Sequence, residues 1–279
     1  AVAAAKALNE GRDAERYAER IETVYLPHDG HSTTGTENAA RALAEELGVP
    51  YRVQAIGDET KRALAVSAAL CGGEEHVRPI ARENMQARIR GALMLNWANS
   101  VDGLVLVTSN LSEAGVGYST TGGDNEGGYS PIANLPKTLI TEMLEYLSER
   151  DGIRAIQLVL SMPPSAELAP GQEDEKDLMP YPVLDDLLYL YGEKRLSLAQ
   201  CWQVVCLRHR DYDTEQLRTW TADFGKRFFA NQWKRDQHPV ALKVMELDLD
   251  PKTGFRFPVT QSVTFELDTL YAAEAPPRA

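Results

Sequence analysis

Four residues in one polar stretch, "TSNLSEAGVGYSTTGGDNEGGYSPIANLPKT" at 108–138, have types and spacing suited to chemistry on a phosphate. Thr108 follows the apolar run "GLVLV" (103–107), and Glu113 comes five residues later, where the first turn of a short helix is expected. A carboxylate beside the carboxyl end of a strand can hold Mg2+, a hard ion that prefers oxygen ligands. Asp124 lies among glycines, which let the backbone come close to a ligand. Lys137 enters at the start of a helix, and a helix N-terminus itself favours anions. A carboxylate, a glycine-rich loop and a lysine beyond one strand edge suit a nucleotide or another phosphate. The competing reading is a solvated connector, although loops of this length are seldom without a role.

Two other places carry polar groups at usable spacing. Asn84 and Arg88 fall four apart on a helix expected over 83–100, so an amide and a guanidinium share one face. That pair suits a ligand bearing phosphate together with hydroxyl or carboxylate groups; the alternative is a surface ion-pair ladder with Glu83. "KRFFANQWKR" (226–235) reads as an amphipathic helix with a solvated basic face, or as a local site for a small anion. The three cysteines, Cys71, Cys201 and Cys206, show neither metal-ligand spacing nor a disulfide framework. Cys201 and Cys206 lie in an apolar helical pattern and are expected to be reduced core thiols. The five histidines give no HxxxH pair, which argues against a zinc enzyme.

The elements that must position these groups alternate. A helix is expected over 1–9, a strand over 21–27, an amphipathic helix over 36–48, and a strand over 51–56. The helix at 83–100 and a third strand at 103–109 follow, then a helix over 136–149 with Pro136 in its first turn. Strands separated by helices imply parallel pairing in an α/β protein, with a doubly wound sheet flanked by helices. Ligands bind such sheets beyond the carboxyl ends of the strands. That rule places 27–35, the segment from Gly57 and the polar stretch on one rim. Residues 161–183, with five prolines and a cluster of acids, read as a long irregular excursion. Helical patterns return at 183–192, 197–209 and 214–232, and "ALKVMELDLD" and "FRFPVTQSVTFEL" are candidates for short strands.

Of 279 residues, 43% are apolar and 25% charged, as expected of a globular protein able to bury a sizeable core. The formal net charge of −12 argues against general nucleic-acid binding, which needs basic surface. No apolar run approaches the roughly 18 residues of a membrane span, and the opening residues lack the marks of a secretion signal. A cytoplasmic location is the expectation.

Four segments in order resemble the hallmark sequences of NAD+ synthetases: "ENMQARIRGALM", the 108–138 stretch, "PPSAELAPGQEDEKDLMPYPVLDDLL" and "NQWKR". The similarity is greatest to the synthetase domain of the glutamine-dependent type. It covers nearly the whole chain, more weakly before residue 80 and after 240. The resemblance implies an adenine nucleotide alpha hydrolase-like fold in a single domain: a nucleotide-binding core over 1–150, a lid over 151–182 and a mainly helical part over 183–279. It implies a ligase with ATP and Mg2+ that adenylylates the nicotinate carboxylate of deamido-NAD+, after which ammonia expels AMP to give NAD+. Carried over by motif, Asn84, Arg88, Glu113, Lys234 and Asp174 are expected to contact deamido-NAD+. Thr108 and Lys137 are expected to contact ATP, Glu113 to hold magnesium, and Asp124 and Lys137 to serve catalysis. A homodimer is also implied.

One hallmark departs from the pattern. The Ser-Gly-Gly-x-Asp-Ser phosphate loop of the family does not occur in this sequence, whose opening "AVAAAKALN" resembles the helix that follows such a loop. The expectation is a segment of a longer enzyme that is active only with that loop. The ammonia would be free, or delivered by a glutaminase domain elsewhere. The alternative is an inactive homologue that acts as a binding or scaffold protein.

Overall fold

The computed structural model describes residues 20–29 and 32–277, so the helix expected over 1–9 lies outside the described residues. The chain divides into two compact units, one running to Leu93 and including Ile140–Asp174, the other formed by Met94–Leu139 and the residues from Glu175.

The first unit holds β1 (Thr23–Tyr25), α1 (Thr34–Leu47), β2 (Tyr51–Val53), α2 (Gly57–Cys71) and the start of α3 (Pro79–Ser100). β1 and β2 pair in parallel, with Thr23 opposite Tyr51 and Tyr25 opposite Val53, as strands joined through a helix should. Both are shorter than their sequence patterns suggest. α1 starts where Thr33 accepts the Thr36 N–H at 3.1 Å and stops at Gly48, whose φ of 66° is costly for other residues. α3 begins four residues earlier than expected, with Pro79 at its first position.

Of the excursion expected over 161–183, residues 161–173 are irregular and tied down, while helices begin at Asp174 and Tyr181. Gln86 donates its amide to the Leu168 carbonyl at 2.9 Å. The Glu167 carboxylate accepts the Thr36 hydroxyl at 2.5 Å, and lies 3.4 Å from the Tyr25 hydroxyl and the Thr33 N–H. These contacts sit at the carboxyl end of β1 and the start of α1. Asp29 also comes within 3.1 Å of where a Cβ on Gly57 would lie, so the segments after β1 and β2 share this rim. The excursion follows α6 (Ala155–Leu160), whose N-terminal N–H groups at Arg154 and Ala155 are received by Glu46 of α1 at 2.9 and 2.7 Å. Those backbone donors hold the Glu46 carboxyl below its ordinary value.

The second unit is built on a helical core. α8 (Tyr181–Leu188), α9 (Leu198–Arg208), α10 (Thr214–Ala230) and α12 (Thr264–Ala272) bury Leu184, Leu187, Leu198, Trp202, Leu217, Phe224, Phe228 and Leu270 against one another. The shorter α4 (Leu111–Val116), α7 (Asp174–Asp177) and α11 (Gln232–Arg235), with α5 (Lys137–Asp151), complete the helices in chain order among the described residues. α8 passes into a π turn at Tyr189–Glu193. Cys201 and Cys206 are fully buried thiols here, as expected, and burial pushes the Cys201 thiol up to about 12.

Three strand expectations fail in whole or in large part. Residues 103–109 do not form a strand; only Leu106 bridges Tyr129. The polar stretch folds back over the apolar run, with Val107 donating to the Tyr129 carbonyl at 2.9 Å and Gly128 to the Val105 carbonyl at 3.1 Å. Gly127 permits the close approach, since a Cβ there would lie 2.5 Å from the Val107 side chain. Val105 and Val107 turn inward while Leu104 remains 65% exposed, so the alternation of a strand is present without a ladder to extend it. β3 (Tyr129–Ser130) pairs in parallel with β4 (Val240–Ala241), to which "ALKVMELDLD" contributes only Ala241. The cause is Asn134, which accepts the Val244 and Met245 N–H groups at 2.7 and 2.6 Å and donates to the Leu247 carbonyl at 2.6 Å. These backbone groups go to a side chain in place of a neighbouring strand. "FRFPVTQSVTFEL" likewise forms no strand; its last residues begin α12.

Candidate functional site

α4 carries the first of the predicted groups, and its sequence explains its start. "NLSE" is a capping box: Asn110 accepts the Glu113 N–H at 3.0 Å, and the Glu113 carboxylate receives the Asn110 N–H at 3.3 Å. Glu113 therefore sits in the first turn, as expected, with its carboxylate half-buried. Thr108, two residues before the cap, is exposed.

The other end of α4 has carbonyls without helical partners, and "NQWKR" supplies the donors. Arg235 donates to the Gly115 carbonyl at 2.6 Å, Asn231 to Val116 at 2.9 Å, and Lys234 to both Gly117 and Ser119 at 2.7 Å. Cationic donors at a helix C-terminus also complement its dipole. Arg235 is only 2% exposed, lies 4.1 Å from the Phe228 ring centre, and is pulled down to about 10 by burial. The solvated-basic-face reading of 226–235 thus holds for Lys226, which pairs with Asp223 at 3.0 Å, and fails for Lys234 and Arg235. Lys234 directs its ammonium at the backbone of the very loop that leads to Asp124.

That loop makes a turn closed by Asp124 itself, whose carboxylate accepts the Thr120 N–H at 2.5 Å. The side chain reaches solvent, yet the protein packed around it pushes the carboxyl above its ordinary value. The Thr120 N–H and the nearby Lys234 charge pull the other way without prevailing. The result is a solvent-accessible carboxyl with enhanced basicity.

Lys137 opens α5, as the sequence suggests, and its ammonium lies 3.6 Å from Glu113 and 5.4 Å from the Tyr181 ring centre. Its backbone N–H donates to the Ser112 hydroxyl oxygen at 2.8 Å. Ser112 in turn donates to Asp185 of α8, which also receives the Thr138 N–H at 3.0 Å and the Thr138 hydroxyl at 2.8 Å. Burial pushes the Asp185 carboxyl above its ordinary value, against these hydrogen bonds and the Lys137 charge. Sequence reasoning missed Asp185, Ser112 and Asn110. Asn110 was detectable as the first residue of an N-x-x-E box. Asp185 has no local mark, since "YPVLDDLL" reads only as an amphipathic helix.

The second unit thus gathers Thr108, Glu113, Asp124, Lys137 and Lys234 on the 108–138 stretch and the segment that grips it. Asn84, Arg88 and Asp174 belong to the first unit. Asn84 and Arg88 stand one turn apart on α3, half-buried and exposed respectively. Asp174 begins α7, is 5% exposed, and donates its N–H to the Pro164 carbonyl at 3.0 Å, which anchors the end of the excursion. No group of three or more His, Cys, Asp or Glu among the described residues is arranged to hold a metal ion by itself.

Two parallel strand pairs, each joined through helices, fit an adenine nucleotide alpha hydrolase-like fold, the fold of the structural neighbours. The solved structure of a glutamine-dependent NAD(+) synthetase from Cytophaga hutchinsonii matches with a TM-score of 0.79 at 26% identity, covering 92% of this chain and 42% of that one. Residues 1–222 match the family described as NAD synthase, and the chain belongs to that family. It is 47% identical over 244 residues to the glutamine-dependent NAD(+) synthetase of Synechocystis sp., covering 88% of this chain and 41% of that protein. It is 35% identical over 246 residues to the enzyme of that name from Aquifex aeolicus, covering 87% and 40%. The chain therefore spans about two-fifths of the length of the curated relatives it matches.

Proposed function

We propose that this chain is the synthetase part of an enzyme that makes NAD+ from deamido-NAD+, ATP and ammonia. A nicotinate carboxylate oxygen attacks the α-phosphorus of ATP and expels pyrophosphate, forming an acyl-adenylate. Ammonia attacks the acyl carbon, AMP leaves, and one proton is given up. The observation that carries this reading is the half-buried Glu113–Lys137 pair at the start of α5, with the basic carboxyl of Asp124 on the same stretch. A lysine at a helix N-terminus offsets the charge that gathers on departing phosphates. A carboxyl with a raised pKa is a better acceptor for the proton lost from nitrogen.

Mg2+ belongs to the reading as well. This ion is usually held by one or two carboxylates together with substrate phosphates, so the half-buried Glu113 carboxylate would serve as one such ligand where a full protein cage is lacking. When bound it would neutralise phosphate charge. Thr108 and Lys137 contact ATP in this scheme, while Asn84, Arg88, Asp174, Glu113 and Lys234 serve deamido-NAD+. The enzyme works as a cytoplasmic homodimer of single-domain synthetase parts; among the described residues no helix is long and apolar enough to cross a membrane.

The test is the reaction itself. The full-length protein should form AMP and pyrophosphate only when deamido-NAD+ and ammonia, or glutamine, are both present with ATP. ATP binding without AMP formation under those conditions would sink the reading.

A further inference from the structure

Two aspartates stand side by side in "YPVLDDLL", and the structure gives them different work. Asp186 pairs with Arg208 and, at 3.0 Å, with His209, a link between α8 and α9 of the sort that holds helices together. Asp185 faces the start of α5. Its two oxygens take the Ser112 hydroxyl, the Thr138 N–H and the Thr138 hydroxyl.

A helix start is ordinarily capped by a residue just before it. Pro136 has no side-chain acceptor, and the N–H groups of Lys137 and Thr138 that open α5 are met from two other elements: Ser112 on α4 and Asp185 on α8. Ser112 is next to Glu113. Lys137 is therefore held twice against α4, by its backbone N–H to Ser112 and by its ammonium to Glu113. Asp185 closes this arrangement, because it fixes the Ser112 hydroxyl on one side and Thr138 on the other. A local serine cap would satisfy the same N–H groups without tying the helix start to the helix that bears Glu113.

We propose that Asp185 is a positioning residue for Lys137: through Ser112 and Thr138 it fixes where the lysine ammonium stands beside Glu113, and so sets the affinity of the site for phosphate oxygens. This rests on the ligase reading for the identity of the ligand, but not for the tie itself.

The conservative substitution is Asp185→Asn. Asparagine can keep its oxygen on Thr138, but it turns an amide N–H toward Ser112 and removes the charge. Binding of inorganic pyrophosphate, measured by calorimetry on the full-length protein, should weaken about tenfold in Asp185→Asn. In a Lys137→Ala background the same change should alter binding less than twofold, because the group through which Asp185 acts is gone. Equal losses in both backgrounds would reduce Asp185 to a fold-holding residue and overturn the proposal, as would no loss in either.

A ligand-free readout separates failure of the tie from failure of the ligase reading. In Asp185→Asn, acetylation of Lys137 by acetic anhydride should quicken threefold or more, with exposed Lys61 as the unchanged reference. Unaltered Lys137 labelling overturns the proposal even if no pyrophosphate binds. Should Asp185→Asn fail to fold, Ser112→Ala breaks the same tie from α4, and the same two results are expected of it with smaller size.

Discussion

Replacing Lys234 by methionine tests how the polar stretch is held. The ammonium donates to the Gly117 and Ser119 carbonyls, each at 2.7 Å, and methionine keeps the apolar stem while removing both bonds. Hydrogen bonds from a charged donor contribute about 1.5–3 kcal/mol each. Lys234 is half-buried, so the lower end applies, and the pair amounts to about 3 kcal/mol. At roughly 2–4 °C per kcal/mol for a chain of this size class, the melting temperature should fall by roughly 6–12 °C.

Urea unfolding followed by tryptophan fluorescence measures the loss, since Trp202, Trp220 and Trp233 lie in the same unit. A second effect follows from charge. Lys234 is among the groups that pull the Asp124 carboxyl down, so its removal should raise that carboxyl further. If Asp124 must be ionised to take a proton in the amidation step, the acid limb of the rate profile moves to higher pH in Lys234→Met. A loss below about 1 kcal/mol together with an unmoved acid limb would refute the account of Lys234 as the clamp on this loop.

Asp124→Asn keeps an oxygen for the Thr120 N–H but cannot accept a proton; the amidation rate should fall by about a hundredfold while deamido-NAD+ binding changes by no more than a few-fold, and equal losses would make Asp124 a substrate-positioning group only. His238 is held at about 4, below its ordinary 6.5, first by burial and then by the Lys252 and Arg235 charges, with Asp250 opposing. Between those values the unfolded chain binds the proton that the folded one refuses, so stability present at neutral pH is lost as pH falls from about 6.5 to about 4. That loss is of the order of 3 kcal/mol, and His238→Gln should flatten the dependence in chemical unfolding measured across the window.

Much of this site could be read from the chain because its signals are local. The N-x-x-E box of "NLSE" names the start of α4, and Gly48 and Pro79 mark the end of α1 and the start of α3 within about one turn. Lys137 at the head of α5 follows from Pro136. The failures share a cause of the opposite kind. "GLVLV" has the alternation of a strand, but a ladder needs a neighbour, and the chain after Gly127–Gly128 meets it at one residue pair only, Leu106 with Tyr129. The "ALKVMELDLD" segment has strand-like residues whose N–H groups are taken by Asn134, more than a hundred positions away.

The sequence by itself determined most of the long helices, though not α2 or α12, together with the parallel α/β class, the family, and which polar residues belong to the 108–138 stretch, because each of these rests on periodicity, caps or motifs within a few neighbouring residues. Only the tertiary structure decided what those residues touch. It set Arg235 on the Gly115 carbonyl at the end of α4 and Lys234 on the loop carbonyls just beyond it, pushed Asp124 up by packing protein around it, and brought Asp185 to the head of α5 from 47 positions away. Orphan carbonyls, desolvation and long-range caps depend on which distant segments meet, and no spacing along the chain records that meeting.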